Sequence, residues 1–214
     1  MDSLVGDAES VLVAGPVLSG RRRVFHRTIH ERSERPVLVS MRQPAEAARS
    51  TYRRLATPTA ATNGDAEGSG TECDGGVVDP IVVDCVTSAL GKSPTDDAET
   101  KYAQHPSNLT SIGTKFTECV EACDEESVAV GVDTVSPLLA YADASNVFRF
   151  LHILVQKATT AECPVVVGID AGAHDEQTVE KFVPIFEQVV ETRREGDDRE
   201  CRGRYPTPTG WRSL

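Results

Sequence analysis

Short apolar runs, mostly β-branched, alternate along the chain with stretches whose apolar positions recur every three or four residues. VLVAG (11–15), PVLVSM (36–41), IVVDCV (81–86), VAVGVD (128–133) and VVVGID (165–170) are continuous rather than alternating. Strands with apolar side chains on both sides belong in a parallel sheet covered by helices. Between them the pattern predicts helices over 20–33, 44–56, 107–123 and 144–160, and another near 175–186. Pro44 opens the second, where a missing N–H costs nothing. Ser107 and Asn108 supply a cap for the third, which puts Leu109, Ile112, Phe116, Cys119 and Val120 on one face. KYAQ (101–104) reads as a short extended piece. QVVETRR and ECRGRY, joined through EGDD, read as an antiparallel hairpin.

The expected fold class is therefore α/β: a mostly parallel central sheet, helices on both faces and a C-terminal β-hairpin, in one domain over 1–214. Two segments fall outside the pattern. Residues 57–76, rich in Gly, Thr, Ala and acid, predict a flexible loop with almost nothing to bury. The tail PTPTGWRSL (206–214) predicts irregular structure.

Charge narrows the choice of partners. The net charge is −11, but residues 1–55 carry ten Arg against six acids, and 56–214 carry 12 basic against 27 acidic residues. Seventeen of the 22 basic side chains are Arg and five are Lys. Excess acid with scarce Lys fits a salt-filled cytoplasm, where carboxylates keep a screened surface hydrated; an ordinary acidic protein is the alternative. Nucleic acid is not an expected partner, since binding it needs basic patches facing phosphates. No apolar run approaches the roughly 20 residues of a membrane span. The opening residues lack the signal-peptide pattern, so the expectation is a cytoplasmic protein without a membrane partner.

The six cysteines, at 73, 85, 119, 123, 163 and 201, show no paired CxxC spacing, and a reduced chain is the simpler account. Cys85 and Cys163 read as small buried hydrophobes. His26 and His30 lie one helical turn apart without a third ligand, so packing outweighs metal binding. His152 lies in the apolar FRFLHILV stretch and reads as a core histidine. His174-Asp175-Glu176 follows the fifth strand at the edge where ligands bind in open α/β sheets; the simpler reading makes Asp175 a helix cap.

The candidate chemistry sits in GPVLSGRR (15–22). A phosphate-binding loop reads G-x-x-x-x-G-K-[ST] between a strand and a helix, its glycines letting backbone N–H groups turn toward phosphate. Gly15 and Gly20 keep that frame around Ser19. Arg21 stands where Lys belongs and Arg22 where the metal-binding hydroxyl belongs. An acid also ends the fourth strand, Asp133, and another the fifth, Asp170.

This succession resembles the RecA superfamily and, within it, the KaiC-like and RadA-related ATPases. The phrases SNLTSIGTKF, VGVDTVSPLLAYADASNVFRFLH and GIDAGAHDEQTV are similar to a haloarchaeal branch of it. The resemblance spans nearly the whole chain and implies a three-layer RecA-like P-loop fold. It implies a nucleotide site from Gly15, Ser19, Gly20, Arg21, Arg22, Asp133 and Asp170. Active relatives carry a water-positioning acid after the second strand, where this chain has Met41, Arg42 and Gln43; Glu46, a turn later, reads as a solvated helix residue. Three altered roles imply a pseudo-ATPase that regulates or binds a protein partner, or itself. The alternative is a slow or switch-type ATPase with Arg21 in place of Lys. ATP stays admissible as a ligand; Mg²⁺ is not expected, because Arg22 puts a cation in its place. Three arginines at a helix N-terminus also call for an anion, with Asp133 the first candidate partner of Arg22 and Asp170 the second.

Overall fold

A computed structural model describes residues 5–57, 77–123 and 127–214. The chain runs β1 (Ser10–Gly15), α1 (Arg21–His30), β2 (Val37–Ser40), α2 (Ala45–Ala56), β3 (Ile81–Asp84), β4 (Thr100–Tyr102), α3 (Leu109–Glu121), β5 (Val130–Asp133), α4 (Leu138–Tyr141) and α5 (Ala144–Thr160). It continues through β6 (Val165–Asp170), α6 (Glu176–Glu180), β7 (Gln188–Glu195), β8 (Asp198–Tyr205) and β9 (Arg212–Ser213). The strands form one sheet in the order β4-β3-β2-β5-β6-β1-β7-β8-β9. Neighbours from β4 to β7 are parallel; β7–β8 and β8–β9 are antiparallel.

Alternation within β1 explains its unbroken apolar run. Leu12 and Ala14 join the core cluster containing Ile112, Phe116, Leu151 and Val179 from α3, α5 and α6. Val11 and Val13 join the opposite cluster, with Phe25 and Ile29 of α1 and Tyr52 of α2. Both faces are dry, so every position from Val11 to Ala14 is apolar. The register then lines up the carboxyl ends of the strands: Gly15 pairs with Asp170, and Ser40 pairs with both Asp133 and Asp84. These positions surround the start of α1.

Asp84 is fully buried and organises that edge. Its oxygens accept the backbone N–H groups of Ala45, Val86 and Thr87, each at 2.8 Å, and the Thr87 hydroxyl at 2.7 Å. One carboxylate thus starts α2 and turns the chain after β3. Asn108 caps α3 by accepting from Ser111 N–H at 3.0 Å.

Several expectations need correction. The segment 175–186 is not one helix: α6 stops at Glu180, and Pro184 lies in a separate 3₁₀ turn, Val183–Ile185. A short helix at α4, directly after Pro137, was not expected. The tail 206–214 is not irregular throughout, because Arg212 and Ser213 pair with Cys201 and Glu200 as β9. Its tether is Trp211, whose ring lies 4.2 Å from the Arg193 guanidinium carbon and 4.5 Å from that of Arg202. His152 is exposed, stacked on Phe148 at 6.1 Å, while α5 buries Val147, Leu151, Leu154, Val155 and Ala158. The loop expected over 57–76 lies outside the described residues from 58 onward, as does Cys73.

Candidate functional site

β1 ends at Gly15, where the backbone passes too close to β7 for any side chain. A Cβ there would lie 2.0 Å from Thr192 Oγ1 and 2.7 Å from the Thr192 carbonyl oxygen. The next residues turn tightly: Ser19 N–H donates to the Pro16 carbonyl at 3.4 Å, and Ser19 Oγ donates to the same oxygen at 2.8 Å. Ser19 Oγ is also 2.6 Å from Thr192 Oγ1 and fully buried. That hydroxyl points into the protein, and Val17 and Leu18 are left exposed at the tip. Gly20, at φ 89°, then admits the chain into α1, a conformation only glycine takes without strain.

α1 begins with no side-chain cap and no acid in its first turn. Helix N–H groups and the positive end of the helix dipole therefore meet three arginines. Arg22 resolves part of this conflict. Its Nη2 donates to Asp133 Oδ2 at 3.0 Å and to Gln43 Oε1 at 2.8 Å. Asp133 ends β5, and Gln43 lies in the turn after β2, held by Ser40 Oγ donating to the Gln43 carbonyl at 2.6 Å.

Arg21 is 4 % exposed and less well partnered. Its Nη1 reaches Thr134 Oγ1 at 3.3 Å, while its Nε has no hydrogen-bond partner. Burial pulls its pKa below the usual arginine range, against the fields of Asp170 and then Asp133. Asp170 itself closes the following loop, accepting Gly172 N–H at 3.1 Å on Oδ1. The seven predicted residues thus converge on one strand edge, but Arg22 pairs with Asp133, and Ser19 faces away from the seat.

After β2, where the resemblance implies an acid, Met41 is buried, Arg42 is exposed and Gln43 is spent on Arg22. Glu46 is largely exposed and pairs with Arg49 at 2.8 Å. Among the described residues no group of three or more His, Cys, Asp or Glu gathers to hold a metal. His26 packs against Phe25 and Tyr52 with both ring nitrogens buried and unpartnered, and burial lowers its pKa to about 4. Asp175 caps α6 by accepting Thr178 N–H at 2.6 Å, the simpler of its two readings.

Sequence reasoning missed Gln43, Thr134 and Thr192. None belongs to a local motif. Gln43 follows β2, Thr134 follows β5 and Thr192 lies in β7, so only the strand order brings them to the site.

Residues 8–192 match the model of a family of unknown function, DUF7504. The chain belongs to that family. No curated protein matches it. Among solved structures, a KaiC-like protein from the hyperthermophilic archaeon Pyrococcus horikoshii superposes with a TM-score of 0.59 at 14% identity, over 95% of this chain and 83% of that one. An uncharacterized protein from the same organism, in complex with an unknown peptide, gives 0.63 at 11% identity, over 97% and 93%. At such identities the likeness shows fold alone: this DUF7504 chain has the RecA-like α/β architecture. No helix among its described residues is long and apolar enough to cross a membrane.

Proposed function

We propose that this chain is a RecA-like domain whose hydrolytic site has become an internal ion-pair lock, retained as a regulatory module for a protein partner or a second copy. The carrying observation is the 3.0 Å contact between Arg22 Nη2 and Asp133 Oδ2. A tethered guanidinium there competes with any metal for the acid at the end of β5. The residues present do not suit Mg²⁺: the hydroxyl position is a cation, Asp133 is paired and Ser19 is turned inward. Phosphoryl transfer needs that metal and an oriented water, and Met41, Arg42 and Gln43 offer no carboxylate for the water. The loop is thus read as a degenerate Walker A motif. The acid-rich, Lys-poor composition supports a haloarchaeal source and a saline cytoplasm.

Calorimetric titration with ATP at high salt, with and without Mg²⁺, tests the reading alongside phosphate release. The expected result is no strengthening by Mg²⁺ and no turnover above buffer. Binding tightened by Mg²⁺, or measurable turnover, overturns it. The second reading, an ATP-binding switch, is favoured by one feature: the buried Nε of Arg21 has no partner and is left for a phosphate oxygen.

A further inference from the structure

The tail that sequence patterning leaves shapeless wraps the edge of the β7–β8 hairpin and ends on the phosphate loop. Thr209 N–H donates to the Gly203 carbonyl, and Gly203 N–H to Thr209 Oγ1, both at 2.9 Å. Trp211 follows, clamped between Arg193 and Arg202, and lines a cavity of about 260 Å³ with Gly15, Pro16 and Thr192. β9 then adds to the sheet, and Leu214 N–H donates to the Arg199 carbonyl at 2.9 Å. The Leu214 side chain packs against the core cluster that contains Phe25, Val190 and Cys201. A Cβ on Gly20 would lie 2.5 Å from Leu214 Cδ1, so the two residues are in direct contact at the start of α1. Arg199, beneath Leu214, donates from Nε to the Leu18 carbonyl at 3.2 Å.

We propose that residues 206–214 are an autoinhibitory strap on the phosphate loop. Docked, the strap covers Gly20 and bonds the backbone of Arg199, whose side chain holds Leu18. The loop is then held in the conformation that buries Ser19. Released, it uncovers Gly20 and the first turn of α1, which Arg21 opens, for a polyphosphate anion. The strap is built to detach: β9 has two residues, both exposed, on a sheet edge, and short edge segments open locally at little cost. Its two side-chain anchors are both only partly buried: the Trp211 ring, held by cation–π contacts, and Leu214, at the rim of the core cluster. The inference rests on the metal-free reading of the loop, so its test omits the metal.

The full chain, Leu214→Ala and Trp211→Ala are titrated calorimetrically with tripolyphosphate, free of divalent metal and at fixed ionic strength. Each variant is expected to bind at least ten-fold more tightly than the parent, and adding Arg21→Ala is expected to abolish the gain. Trp211 is the chain's single tryptophan, so saturating tripolyphosphate should also change the parent's fluorescence as the ring leaves its clamp. Equal affinities in the three proteins, absence of binding by all three, or a gain that survives Arg21→Ala overturns the strap. Leu214 is half-buried at the rim, so its variant carries the test if Trp211→Ala does not fold. Mg²⁺-dependent turnover of ATP would instead overturn the metal-free reading and leave the three affinities to be compared as before.

Discussion

His26 makes the stability of this fold sensitive to mild acid. It lies between Phe25 and Tyr52 with neither ring nitrogen hydrogen-bonded, and burial lowers its pKa from 6.5 to about 4. Asp133 opposes that shift, while the positive charges of Arg22 and Arg54 reinforce it. The unfolded chain therefore takes up the proton first. Stability is unaffected by this group above pH 6.5, falls as pH drops below it, and stops falling below pH 4, when both states are protonated. By linkage the loss is about 2 kcal/mol at pH 5 and approaches about 3 kcal/mol at the acid limit. Carboxylates titrate over part of the same range, so the informative quantity is a difference. Denaturant unfolding from pH 7.5 to 4.5 should show a markedly steeper loss for the parent than for His26→Leu, which forfeits no hydrogen bond. Parallel pH curves for the two proteins would refute the assignment.

The Arg22–Asp133 contact should appear in a double-mutant cycle. Combining Arg22→Met and Asp133→Asn is expected to reveal a coupling of about 1–2 kcal/mol, below that of a fully buried pair because Arg22 is partly exposed; denaturant midpoints measure it, and additivity would contradict the lock. Asp84→Ala should cost about 3 kcal/mol or more, since three backbone donors and a hydroxyl lose their acceptor inside the protein; thermal unfolding reads this, and Asp84→Asn should recover part of the loss.

The legible part of the fold is the part whose signal is local. β1, β2, β3, β5 and β6 are continuous apolar runs because both faces of the sheet are covered, and their acids mark the carboxyl edge. The Gly15–Gly20 spacing likewise locates the loop. The misread elements depend on distant partners. FRFLHILV is apolar nearly all round, so the period alone does not say that His152 faces outward; the cluster against Phe116 and Val179 decides it. The tail carries no period at all. Its order comes from Trp211 meeting arginines 18 and nine positions upstream, which become neighbours only after β7 and β8 pair. The role of Gln43 is set by the parallel pairing of β2 with β5.

The arginines at the start of α1 bear on why the edge remains acidic. Asp133 and Asp170 end β5 and β6 near the start of α1, and a helix N-terminus alone supplies only a partial positive charge. Without the arginines these carboxylates would stand uncompensated at a largely buried edge. Arg21 and Arg22 restore the charge. Unlike Mg²⁺, however, they are covalently held and do not exchange with a ligand. On the proposed reading, a cation that cannot leave makes the site a fixed structural feature rather than a cycling one. On that argument any change of state in this domain is more readily driven from a detachable contact, and on this side of the sheet the tail against Gly20 is such a contact.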